Sequence, residues 1–117
     1  MPEQICGNSS HASFQVADLS NWDAFRATLP PNAQFDIVLS LGLHHHLPPL
    51  TRTETLIGAA QLAREELIIR VPPEVYAGDD IGGVMKRCGF VLVEESEGLS
   101  EGTNVGPVRM FKRIAQA

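Results

Sequence analysis

The chain has 117 residues, of which 44% are hydrophobic and 20% are charged, and its net charge at neutral pH is −5. These values lie near the averages for globular proteins and argue against a disordered or fibrous chain. No apolar run approaches the roughly 18 residues of a membrane span, and no basic-then-apolar leader opens the sequence. We therefore expect one soluble, cytoplasmic domain over residues 1–117, and the acidic balance argues against a nucleic-acid partner.

The first predicted elements are a strand and a short helix. Residues 12–17 alternate apolar and polar side chains, which predicts a short strand that ends at Asp18. A helix is predicted over residues 22–29, because Pro30 and Pro31 terminate it. Asp18 is interpreted most simply as a cap of this helix.

The longest apolar run covers residues 35–41 and continues into Gly42 and the cluster His44, His45 and His46. A run of Ile, Val and Leu of this kind predicts a strand that is buried on both faces of a parallel sheet. Polar groups at the carboxyl end of such a strand lie where open α/β sheets bind ligands. We therefore expect the functional site at this end of the strand.

Strands and helices continue to alternate along the rest of the chain. The predicted elements are a helix over residues 51–63, a strand over 66–71, a helix over 81–88 and strands over 90–95 and 108–114. The last two strands are expected to pair antiparallel through the loop of residues 96–106. The pattern predicts an α/β domain with about five strands in a mostly parallel sheet and an antiparallel C-terminal strand pair.

This pattern resembles the carboxyl-terminal half of the Rossmann-like (class I) methyltransferases that depend on S-adenosylmethionine (SAM). Residues 35–47 resemble that family's fourth strand and the histidine-containing segment after it. The other matching segments are residues 17–19 for the acidic motif after the third strand, 67–72 for the fifth strand, and 89–95 with 108–114 for the final antiparallel pair. The resemblance covers roughly residues 14–114 and implies a truncated methyltransferase-like Rossmann fold.

The resemblance also implies a set of cofactor contacts. Asp18 would accept a hydrogen bond from the adenine amine of SAM, and Leu19 would offer a backbone contact beside it. The residues implied to line the methionine end are Ser40, Leu41, Gly42 and Leu43.

His45 and His46 are candidates for a catalytic base, because an imidazole titrates near neutral pH. Methyl transfer to an activated nucleophile often needs little beyond alignment of donor and acceptor, so such a base is optional. Three consecutive histidines point in divergent directions, and we therefore expect no metal site within the chain.

The sequence departs from the family at its amino-terminal end. The family's first strand, Gly-rich loop and ribose-binding acid should precede Asp18, whereas residues 5–10 contain one glycine and no Gly-x-Gly pattern. We expect weak SAM binding, or binding with a partner chain, by a domain that methylates a small molecule or a protein or that has lost catalysis. The alternatives are a non-enzymatic assembly module and a complete small methyltransferase that binds SAM through an unusual amino-terminal loop. Either the strand of residues 12–17 docks beside residues 35–41, or an open sheet edge recruits a second copy or a companion chain.

Overall fold

The computed structural model describes residues 14–96 and 106–114. Its elements in chain order are helix α1 (Trp22–Arg26), strand β1 (Phe35–Leu41), a 3₁₀-helix (His44–His46), helix α2 (Pro49–Leu62), strand β2 (Ala63–Arg70), helices α3 (Pro73–Gly78) and α4 (Ile81–Arg87), and strands β3 (Phe90–Glu95) and β4 (Val108–Arg113). The bounds of β1 and β3 are those predicted from the sequence. Across both described ranges, no helix is long and apolar enough to cross a membrane.

The four described strands form one mixed sheet in the order β1–β2–β4–β3. β1 and β2 are parallel, whereas β2 with β4 and β4 with β3 are antiparallel. The α/β class and the C-terminal antiparallel pair are therefore confirmed. The prediction of about five mostly parallel strands is wrong, because β4 inserts between β2 and β3 and makes two of the three pairings antiparallel.

The predicted first strand is also wrong where it can be compared. Residues 14–17 form no strand, and residues 12–13 lie outside the described ranges. An extended segment becomes a strand only through a hydrogen-bonded neighbour, and no described strand pairs with this segment. The outer edge of β1 therefore has no partner strand within residues 14–96 and 106–114.

The hydrophobic core lies between one face of the sheet and the helices. Leu67 and Ile69 of β2 and Phe111 of β4 are fully buried on this face. The buried core cluster comprises Leu56, Ala60, Ala63, Leu67, Ile69, Val71, Ile81, Val84, Met85, Phe90 and Phe111. α2 and α4 supply its helical members, and Val75 and Tyr76 of α3 pack against it.

No described helix or strand covers the other face of the sheet at β1. Ile37 and Leu39 stand in register with Glu66 and Ile68 of β2, so these four side chains share the face opposite the core. Ile37 is 50% exposed and Leu39 is 60% exposed. The prediction that this strand is buried on both faces is therefore wrong, because β1 is an edge strand and the described helices pack on one side only.

The sequence interpretation missed α3. Pro72 and Pro73 follow the strand predicted over residues 66–71, and Pro73 occupies the first position of α3. Proline fits this position because the first helical N–H has no intrahelical acceptor and the fixed φ of proline suits a helix. α4 ends at Arg87 with Cys88 as its cap, and Gly89 beyond the cap has a left-handed φ of 87°.

Candidate functional site

The carboxyl end of β1 forms an open backbone turn. The N–H of Gly42 donates to the carbonyl of Arg70 at 3.1 Å, which extends the β1–β2 ladder by one bond. Gly42 has a φ of 71°, and an added Cβ would meet no heavy atom within 4 Å. The side chains of Leu41 and Leu43 on either side are exposed. A ligand can therefore approach the backbone of this turn closely.

A part-buried network of hydrogen bonds and one ion pair holds the 3₁₀-helix that follows. His44 is buried, and its Nε2 lies 2.9 Å from Oδ2 of Asp79 at the end of α3. Arg52 of α2 lies 3.6 Å from Oδ1 of the same carboxylate and donates to the carbonyls of His45 and Leu47, each at 3.1 Å. Burial lowers the pKa of His44 despite the nearby carboxylate. The neutral imidazole therefore serves as a structural contact.

The two candidate catalytic histidines lie at the surface of this segment. The rings of His45 and His46 are 4.0 Å apart between centroids, and His45 is half-buried whereas His46 is exposed. Burial lowers the pKa of His45, and electrostatic interactions with His46 and Arg52 act in the same direction. In the described part of the chain, no group of three His, Cys, Asp or Glu side chains is placed to hold a metal ion.

Asp18 lies in an exposed turn before α1. Its Oδ1 accepts hydrogen bonds from the N–H of Ser20 at 2.9 Å and from the hydroxyl of Ser20 at 2.6 Å. These bonds lower the pKa of Asp18, so its carboxylate is charged at neutral pH. The interpretation of Asp18 as the helix cap is wrong, because Asn21 is the N-cap and accepts from the N–H of Ala24 at 3.2 Å.

Contacts with α2 fix the position of Leu19. Its carbonyl accepts a hydrogen bond from the hydroxyl of the buried Thr55 at 3.1 Å. Three residues further along, the indole of Trp22 lies directly against Gly58 of α2, where an added Cβ would overlap the ring. The absence of a side chain at position 58 therefore allows α1 to dock on α2 and to carry Leu19 with it.

A cavity of about 300 Å³ lies between α1, α2 and β1, and we call it the edge cavity. It brings together Leu19, Ser40 and Leu43 of the predicted cofactor set. The predicted site residues that do not line it are Asp18, Leu41, Gly42, His45 and His46. Asp18 instead lines a second cavity of about 240 Å³ beside α1.

The sequence interpretation missed Thr55, Arg52 and Asp79, which position the site without forming part of any motif. Asp79 contacts a histidine 35 residues away, and Thr55 contacts a carbonyl 36 residues away. Neither a helical nor a strand repeat relates residues at such separations. The only sequence signal for these three positions was their polar residue type, which many exposed positions share.

No protein-family model and no curated protein matches the sequence. Among solved structures, the chain is similar to the magnesium protoporphyrin IX methyltransferase of Synechocystis PCC 6803 with bound SAM, at a TM-score of 0.73 and 18% identity over 95% of this chain and 50% of that chain. The same enzyme with bound S-adenosylhomocysteine (SAH) matches at a TM-score of 0.67 and 17% identity, over 95% of this chain and 55% of that one. The chain thus spans about half the length of the structures it matches, and its α/β fold is similar to that of a class I SAM-dependent methyltransferase.

Proposed function

We propose that this chain is a truncated methyltransferase-like domain, equivalent to the carboxyl-terminal half of the class I fold, and that it forms one wall of a SAM-binding crevice. The supporting observation is the similarity of 95% of the chain to a SAM-bound methyltransferase. The open turn at Gly42 lies at the carboxyl end of a parallel strand, where open α/β sheets bind ligands.

The residues of the proposed wall could bind the adenine and the methionine end of SAM. The charged carboxylate of Asp18 can accept a hydrogen bond from the adenine amine, and Leu19 packs close to it against α2. Residues 40–43 supply an accessible backbone and two apolar side chains for the methionine end. SAM, when bound, supplies an electrophilic methyl group, and the wall orients it toward an acceptor.

We propose His45 and His46 as the groups that accept a proton from a methyl acceptor. Their rings lie 4.0 Å apart shortly after the open turn, and His45 has a lowered pKa, so it is a neutral base at physiological pH. His44 is not proposed for this role because Asp79 and burial hold it inside the fold.

The proposed wall needs a second polypeptide segment to enclose the cofactor. An acid for the ribose hydroxyls and a Gly-rich turn for the charged tail are not present at residues 40–43 or 18–19. We therefore propose weak SAM binding by this chain alone and tighter binding with a companion. The alternative, a non-enzymatic assembly module, is favoured by one observation: the outer edge of β1 pairs with no strand among residues 14–96 and 106–114.

Titration calorimetry with SAM and with SAH tests this function by comparing the affinity of the Asp18→Asn variant with that of the unchanged protein. The asparagine keeps an oxygen for the Ser20 bonds but loses the charge that would receive the adenine amine. A hydrogen bond to a charged group contributes roughly 1.5–3 kcal/mol, so affinity should fall about tenfold or more. Asp23→Asn on the exposed side of α1 is the matched control and should bind like the unchanged protein. No heat at about 1 mM cofactor would favour the assembly module.

A further inference from the structure

We infer that Arg70 forms a carboxylate-binding site beside the open turn at Gly42, and that this site anchors a methyl acceptor in which a carboxylate is attached to an apolar body. The inference rests on the proposed function only in naming the ligand as the methyl acceptor. The anchored carboxylate is distinct from the atom that is methylated, because two charge-assisted hydrogen bonds to a guanidinium make carboxylate oxygens poorer nucleophiles.

Backbone contacts place Arg70 beside the open turn. The β1–β2 ladder pairs Leu41 with Arg70, and the N–H of Gly42 donates to the carbonyl of Arg70 at 3.1 Å. Side chains of paired residues in neighbouring strands point to the same face of a sheet. The side chain of Arg70 therefore lies beside that of Leu41, on the face opposite the core and next to the residues proposed for the methionine end of SAM.

A glycine holds the guanidinium of Arg70 in one orientation. The Nε of Arg70 donates to the carbonyl of Gly106, just before β4, at 3.3 Å. Gly106 has a φ of 70°, and its added Cβ would overlap the carbonyl of Val71. A residue with a side chain would be strained at this position, so glycine keeps the accepting carbonyl in place. The Nε bond leaves the N–H groups of both Nη atoms for another acceptor.

Arg70 differs from the other described arginines in having no counter-charge. Each of the others contacts a carboxylate or at least two main-chain carbonyls: Arg26, Arg52, Arg64, Arg87, Arg109 and Arg113. Among residues 14–96 and 106–114, Arg70 has the single bond to Gly106, and no carboxylate lies within ion-pair distance of it. Its side chain is half-buried, so the charge is partly removed from water. A bound carboxylate would supply the missing counter-charge.

Charge and shape favour a carboxylate over a phosphate at this site. The two Nη atoms of an arginine form a planar fork that fits the two oxygens of a carboxylate. Arg109, the neighbouring cation of β4, points to the core face and pairs there with Glu95. Along β4, the first cation on the face of Arg70 is Lys112, which lies opposite Glu66. The site therefore offers one positive charge, which a carboxylate balances, whereas a phosphate monoester has nearly two negative charges.

The surroundings of Arg70 suit an apolar ligand body. Leu41 of β1 and Val108 of β4 pair with Arg70 from its two sides, and the three side chains share one face. Leu41 is 53% exposed. A ligand held through its carboxylate would cover this apolar side chain and lie next to the backbone of Gly42. Burial of apolar surface would then add to the ionic contact.

The carboxylate of SAM itself is the competing occupant of this site. That carboxylate belongs to an amino-acid tail, in which a positively charged ammonium group lies close to it. The guanidinium of Arg70 would attract one group and repel the other, so the two effects partly cancel. An apolar carboxylate has no such ammonium group. We therefore assign Arg70 to the acceptor, and the experiment separates the two occupants.

The test is an NMR titration of the isotope-labelled chain with benzoate at constant ionic strength. Benzoate should shift the side-chain Nε–H signal of Arg70 and the backbone amide signals of Leu41, Gly42 and Val108. Benzamide has the same shape without the charge and should not shift them. Phenyl phosphate should bind no more tightly than benzoate, because a single guanidinium faces it.

Three variants locate the binding. Arg70→Gln should weaken benzoate binding by about tenfold or more, because a charge-assisted contact is lost. Arg70→Lys should also weaken it, since an ammonium group cannot form two parallel hydrogen bonds to one carboxylate. Arg87→Gln removes an exposed arginine of α4 and is the matched control, so it should bind benzoate like the unchanged protein. Unchanged amide signals of β3 show that each variant is folded.

Four outcomes would overturn the inference. They are no shift of the Arg70 signal at about 10 mM benzoate, an equal response to benzamide, tighter binding of phenyl phosphate, and equal weakening by Arg70→Gln and Arg87→Gln.

Titration with SAH distinguishes the acceptor from the cofactor. SAH should bind Arg70→Gln as it binds the unchanged protein, and a matching loss of SAH and benzoate affinity would assign Arg70 to the cofactor tail and overturn the inference. Failure of SAH to bind the unchanged protein would remove the proposed function. The carboxylate site would still be decided by benzoate, because that titration contains no cofactor.

Discussion

Gly58→Ala should destabilise this protein, although the same change stabilises most helices. An alanine in a helix interior is more favourable than glycine by roughly 1 kcal/mol. Gly58 lies in the interior of α2, but its added Cβ would overlap the Trp22 indole. Overpacking of this kind costs about 1–3 kcal/mol, so the net loss in free energy of unfolding should be about 1 kcal/mol.

A double-mutant cycle in urea separates the two contributions. In a Trp22→Ala background the clash is absent, and Gly58→Ala should then stabilise the protein by about 1 kcal/mol. Gly78→Ala at the end of α3 is a control without a clash, because its added Cβ would meet no heavy atom within 4 Å. In the single variant, Trp22 emission should move to longer wavelengths as α1 leaves α2. Equal effects of Gly58→Ala in both backgrounds would refute the docking of α1 through this contact.

Two further predictions concern the His44 network. In urea titrations, Asp79→Ala should lower the free energy of unfolding by about 1–3 kcal/mol, because the buried His44 loses its partner. Asp36→Ala removes the exposed pair with Arg64 and is the control. It should change the free energy of unfolding by less than about 1 kcal/mol. The pKa of His44 is lowered in the folded state, so the unfolded chain binds the proton more readily and stability should fall as pH decreases below about 6.5. Urea midpoints between about pH 8 and pH 5 should show this slope, and an unchanged slope in His44→Gln would contradict it.

The strands could be predicted because their apolar runs are continuous and bounded by polar or turn residues. β1 and β3 begin and end where the sequence pattern places them. The helix predicted over residues 81–88 is present as α4 over Ile81–Arg87. What these runs report is the preference of side chains for an apolar environment.

The surroundings of those strands could not be predicted in the same way. The run in β1 predicts burial on both faces, but a hydropathy pattern does not say which segment supplies the covering layer. Ile37 and Leu39 are exposed because no described element packs over them. The hydropathy pattern does not give the strand order either, because the position of β4 between β2 and β3 depends on which strands pair.

The sequence also could not decide which of two similar residues takes a given structural role. Asp18 and Asn21 are both strong N-cap residues, and only the backbone geometry decides that Asn21 begins the helix. The candidate site was predicted at the carboxyl end of β1; Leu19, Ser40 and Leu43 line the edge cavity, whereas the other predicted site residues do not. The roles assigned to the cofactor residues and to His45 and His46 stay predictions.

The most direct test of the account is a titration of the isotope-labelled chain with SAH, followed through its backbone amide signals. The proposed wall predicts that the largest shifts occur at residues 18–19 and 40–43, while residues of β3 at the far edge of the sheet stay unchanged. Shifts confined to β3 and α4, or the absence of any shift at about 1 mM SAH, would contradict the assignment of this chain to the cofactor crevice.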